Sequence, residues 1–84
     1  MIRVGDKVRS IYHPDKGTAV ARDPELQGFL VELEGENLEL RAWRGGDTWR
    51  GVYSTDPSKY YMWYFSVDLE LIKPGNQRIP KKYI

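Results

Sequence analysis

The chain has 84 residues, enough for one small domain, with 40% hydrophobic and 13% aromatic content and a net charge of +1. It contains no cysteine and a single histidine, which excludes disulfide and thiolate chemistry and argues against a structural zinc site. No apolar run approaches the roughly 20 residues needed to cross a bilayer, and Met1-Ile2-Arg3 leads directly into strand-like sequence. No membrane association and a cytoplasmic location are therefore expected. The charge is uneven. Residues 73–84 carry Lys73, Arg78, Lys81 and Lys82 without an acid, a net +4, so the remainder is weakly acidic at −3.

The alternation around Val4 and Val8 predicts a turn at Gly5-Asp6 and a first strand over Asp6–Ile11. His13-Pro14-Asp15-Lys16-Gly17 reads as a turn, with proline setting one φ angle and Gly17 supplying a positive one. Thr18–Arg22 is β-prone and predicts the second strand. Asp23-Pro24-Glu25 breaks it, and Gln27-Gly28 marks a further turn.

The stretch Phe29–Trp43 predicts a hairpin. Gly35-Glu36 fits a two-residue type II′ turn, pairing Glu34 with Asn37, Leu33 with Leu38, Val31 with Leu40 and Phe29 with Ala42. Those residues then face the core, while Glu32 opposite Glu39 and Leu30 opposite Arg41 face outward. Arg44-Gly45-Gly46-Asp47 reads as a loop. Thr48–Ser54 and Lys59–Phe65 predict two aromatic-rich strands joined by Thr55-Asp56-Pro57-Ser58. Ser66-Val67-Asp68 predicts one helical turn, and Leu69–Ile72 a last strand. The expected organisation is an all-β domain over residues 1–75 and a basic C-terminal tail over residues 76–84. Short strands separated by turn signals point to a small barrel or sandwich.

Gly5-Asp6-Lys7-Val8, His13-Pro14 and Gly17-Thr18-Ala19-Val20 together resemble the opening of small SH3-like barrels. These include KOW and Tudor types, the RNA-polymerase-interacting domains of CarD and transcription-repair coupling factors, and short bacterial and phage proteins. The segment from Trp63 to Ile72 resembles their ending: an aromatic strand, a short turn and a last strand. The resemblance implies a five- or six-stranded SH3-like barrel, here with an enlarged aromatic hairpin. It also implies transcription machinery, RNA polymerase included, as a partner. Arg44 to Lys59 departs from the pattern as an inserted loop and hairpin.

No nucleophile–base pair, metal-ligand set or phosphate loop is visible, so a non-catalytic module without cofactor or metal is expected. His13 reads as a hydrogen-bonding corner residue in preference to an acid–base group. Glu32, Glu34, Glu36 and Glu39 read as a solvated edge, with a basic partner or a metal as alternatives. The paired glycines after Arg44 lack the following helix that a phosphate loop requires.

The aromatic residues are too many for one face. Tyr60, Met62 and Tyr64 alternate with Tyr61, Trp63 and Phe65, so that one set fills the core and part of the other is exposed. The candidate partner-binding residues are Trp43, Arg44, Trp49, Arg50, Tyr53, Tyr60, Tyr64, Lys81 and Lys82. Two functions fit them. The first is a protein–protein adaptor or inhibitor. The second is a nucleic-acid binder using exposed rings, arginines and the basic tail.

Overall fold

The computed structural model describes residues 1–45 and 55–75. Among the described residues, six antiparallel strands form one sheet: β1 Lys7–Ser10, β2 Lys16–Asp23, β3 Gly28–Glu34, β4 Trp43–Arg44, β5 Tyr60–Phe65 and β6 Leu69–Lys73. Their order across the sheet is β4-β5-β3-β2-β1-β6. The domain is all-β, with two 3-10 turns, Leu38–Leu40 and Ser66–Asp68, as its only helical elements among the described residues. The predicted strand Thr48–Ser54 and the tail 76–84 lie outside those residues.

The first two strands, the helical turn at Ser66–Asp68 and the last strand form where local pattern predicts them. β2 alternates in burial along its whole length, through a bulge between Ala19 and Ala21. The bulge inserts one extra residue and so changes the face that later residues occupy. Ala19 pairs with Val31, whereas Ala21 pairs with Leu30.

The hairpin at Gly35-Glu36 does not form. A strand has only two edges, and β3 gives one to β2 and the other to β5. None is left for Asn37–Ala42. Gly35 takes φ 129° and Asn37 the left-handed φ 58°, and Leu38–Leu40 winds into a 3-10 turn. Leu38 is buried, but Leu40 is 78% exposed. Leu30, expected to face outward, is 0% exposed. Phe29-Leu30-Val31 is a continuous buried run because β3 is central and packs on both faces.

The larger core lies on one face: Val8, Ala19, Phe29, Val31, Leu33 and Leu38, with Tyr60, Met62, Tyr64 and Leu69 packed against it. Ala21, Leu30 and Tyr61 form a second cluster on the other face, with Val20 and Trp63 against it. Both aromatic sets of β5 therefore pack, and the strand's exposed ring is Phe65, next to the 3-10 turn.

The role of Gly17 also differs from the sequence reading. It sits inside β2, paired with Val8 and Leu33. Its backbone is not in the positive-φ region. What the position requires is close approach: a Cβ there would lie 1.9 Å from the Glu32 carbonyl oxygen. Asp6 accounts for the Gly5-Asp6 pair. Its buried carboxylate accepts the Arg3 N–H at 2.8 Å and the Gly75 N–H at 2.7 Å, joining the start of the domain to the end of β6.

Candidate functional site

A groove of about 490 Å³ opens between four connections and β5. Tyr12, His13, Pro14 and Asp15 come from the β1–β2 connection, and Leu26 from the β2–β3 turn. Arg41 follows the first 3-10 turn, and Met62 to Phe65 with Asp68 form the β5 side. Its volume falls within the range of ligand sites.

Each wall is fixed by backbone chemistry. The Ser10 hydroxyl oxygen accepts the N–H groups of Tyr12 and His13, both at 3.1 Å, while the Ser10 N–H donates to the Asp15 carbonyl at 2.9 Å. The Ile11 N–H donates to the Asp68 carbonyl at 3.0 Å, which ties the first turn to the second 3-10 turn. Asp23 Oδ1 accepts the N–H groups of Glu25 and Leu26, and both the N–H and hydroxyl of Ser66 donate to the Gln27 carbonyl. Three connections are thus stitched around one opening.

At the base, Asp15 is buried and both its oxygens are engaged. Oδ1 pairs with the Arg41 guanidinium, and Oδ2 accepts the Tyr64 hydroxyl at 2.6 Å. A buried carboxylate held this way avoids the cost of an unpaired charge. Nothing in local sequence announces a pair 26 residues apart, so this network and the groove it anchors escape a strand-by-strand reading. The rim is aromatic: Tyr12 is 71% and Phe65 57% exposed.

The candidate residues chosen from sequence divide between two places. Tyr64 belongs to the groove, but it is half-buried and its hydroxyl is committed to Asp15. Trp43 and Arg44 are exposed on β4, opposite Tyr61 and Tyr60, at the far end of β5 from Phe65. Tyr60 is half-buried against the main core. Arg44 is in a strand and not in a loop, and its Nε donates to the Pro57 carbonyl at 3.4 Å. Trp49, Arg50, Tyr53, Lys81 and Lys82 lie outside the described residues. Tyr12, Leu26, Arg41, Phe65 and Asp68 were not singled out by sequence. Two signals point to them: Tyr12 is a ring inside a turn, and Phe65 belongs to the aromatic alternation of which part is expected to be exposed.

His13 is exposed on the groove, in the corner that Ser10 caps. Of the acidic set, Glu34 pairs with Lys7, which holds its carboxyl below the usual range. Glu32 accepts the Tyr61 hydroxyl at 3.1 Å and lies 3.9 Å from Lys59. Glu36 and Glu39 are exposed. No group of residues with metal-holding geometry occurs among the described residues.

Two hydrogen-bonded phenols, buried Tyr61 and half-buried Tyr64, set an alkaline limit. Burial first, then Asp15, raises the Tyr64 pKa well above the ordinary value near 10. Tyr61 is raised mainly by burial, with Glu32 adding and the Asp56 N–H opposing. Above pH ~10 the unfolded chain releases these protons while the folded chain retains them, so the unfolded state binds fewer protons and stability falls as pH rises. The melting temperature is expected to drop above pH ~10. Of the six tyrosines, Tyr61 and Tyr64 should give phenolate absorbance at a higher pH than an ordinary exposed tyrosine. Free titration of all six in the folded state would contradict this.

Comparison with protein-family models, curated proteins and solved structures finds no match to this chain. No described helix is long and apolar enough to cross a membrane.

Proposed function

We propose that the protein is a non-catalytic binding module, an adaptor or inhibitor that takes a segment of a partner protein into the groove between Tyr12 and Phe65. The observation that carries this reading is the groove itself: a rim of exposed rings above an internally neutralised Asp15–Arg41 base. Exposed aromatic residues around a concave site are the usual anchors of protein recognition.

An SH3-like barrel is the fold proposed. In its support, β5 and β6 are joined by only the three residues Ser66–Asp68 although β3, β2 and β1 stand between them in the sheet, which requires the sheet to curl. The ending of aromatic strand, 3-10 turn and last strand matches the resemblance of Trp63–Ile72. Transcription machinery, with RNA polymerase first, is the partner class that resemblance proposes, in a bacterial or phage setting and in the cytoplasm.

Groove charge favours protein over nucleic acid. Among the described lining residues Asp15 and Asp68 stand against Arg41, a formal net −1, and such a lining repels phosphate. The test measures binding of purified bacterial RNA polymerase and of a single-stranded oligonucleotide to the wild type and a Tyr12→Ala/Phe65→Ala double variant, across a salt series. Polymerase binding lost in the double variant is expected. Oligonucleotide binding that falls steeply with salt and survives in the double variant would instead support the nucleic-acid reading. No polymerase binding by either form would remove transcription machinery from the proposal.

A further inference from the structure

We infer that the groove recognises an arginine side chain in an extended segment of the partner protein, held between the Tyr12 and Phe65 rings with its guanidinium on the Asp68 carboxylate. The inference rests on the binding-module reading and names the chemistry of the partner.

Three observations converge on one wall. Phe65 is the extended N-cap of the 3-10 turn that ends at Asp68, and both residues line the groove. Tyr12 is adjacent to Ile11, whose N–H donates to the Asp68 carbonyl at 3.0 Å. The backbone therefore brings two exposed rings and one carboxylate to the same opening. The carboxylates differ in what they can still accept. Asp15 is spent on Arg41 and Tyr64. Asp68 is half-buried, and no described residue bonds or pairs with its carboxylate. It is the groove's uncompensated charge.

An apolar side chain would fill the space and leave that carboxylate partly desolvated without a partner. A phosphate would meet it as a like charge. A guanidinium satisfies both features, because its plane stacks on aromatic faces and its N–H fork matches a carboxylate. Flanking apolar residues of the same segment then cover Leu26 and Met62.

The full chain, labelled with nitrogen-15, is titrated by NMR with acetyl-leucyl-arginyl-leucine amide and with the same peptide carrying neutral citrulline in place of arginine. Saturable shifts at Tyr12, His13, Phe65 and Asp68 are expected, with the citrulline peptide weaker by about fivefold. Asp68→Asn keeps the backbone carbonyl that holds Ile11 and should lose the difference between the peptides. Glu70→Gln, on β6 outside the groove, should retain it. Equal affinity for the two peptides, shifts away from the groove, or no shift at ~10 mM peptide would each overturn the arginine assignment. Polymerase binding that remains sensitive to Tyr12→Ala/Phe65→Ala would then leave the binding-module reading standing, so the two failures are distinguishable.

Discussion

Replacing Gly17 with alanine is expected to remove more than half of the domain's stability. A single methyl group causes this, and it adds no polarity or charge. The obstacle is backbone: the new Cβ would sit 1.9 Å from the Glu32 carbonyl oxygen and 2.8 Å from its carbon. No rotamer change relieves a contact with the neighbouring strand's main chain. Either β2 and β3 separate at this register or the bond ladder shifts, and β2–β3 is the most extensive pairing in the sheet. Overpacking that displaces only side chains costs about 1–3 kcal/mol. Forcing two central strands apart belongs above that range, at roughly 3 kcal/mol or more. A domain of this size has a total stability on the order of 5 kcal/mol. Urea unfolding monitored by tryptophan fluorescence measures the loss. A midpoint within experimental error of the wild type would mean that β2 and β3 do not approach as described. Gly17→Ser should behave the same way, because the first side-chain atom decides the outcome.

Leu30→Ala is expected to cost ~2–5 kcal/mol, and Leu40→Ala less than ~0.5 kcal/mol. The pair is informative because the hairpin pattern of the sequence assigns them the opposite roles. Leu30 is fully buried, packed with Ala21 and Tyr61 on the second face of the sheet. Removing its isobutyl group opens a cavity that Ala21 is too small to fill, while the Tyr61 ring is held by hydrogen bonds to Asp56 and Glu32. The site has little means to collapse, which places the cost toward the upper part of the range. Leu40 projects from the 3-10 turn into solvent, and its truncation deletes almost no buried surface. Thermal or urea unfolding of both variants checks the ranking. A larger loss for Leu40 would restore the hairpin and displace β5 from β3.

The sequence by itself determined the all-β class, the first, second, fifth and sixth strands, and the helical turn at Ser66–Asp68. These follow from period-two patterning and turn residues within a few positions of one another, which local sterics and burial settle without distant help. Asp6, Asp23 and Ser10 act the same way, since each caps main-chain N–H groups no more than three residues away, although the tie from Asp6 to Gly75 spans the whole domain. The tertiary structure decided which strands become neighbours. Gly35 and the alternating leucines make a good local hairpin, yet β5 occupies the edge of β3 that the hairpin needs. Competition for a strand edge is a property of the whole sheet and leaves no mark in the competing segment. The same holds for the groove. Tyr12, Asp15, Arg41, Tyr64 and Asp68 are separated by up to 56 positions and share no motif. They meet because the sheet curls: three residues join β5 to β6 across the three strands that stand between them, and this brings the end of β5 beside the β1–β2 connection, where an ion pair and a phenol can neutralise a buried carboxylate that no single segment could hold.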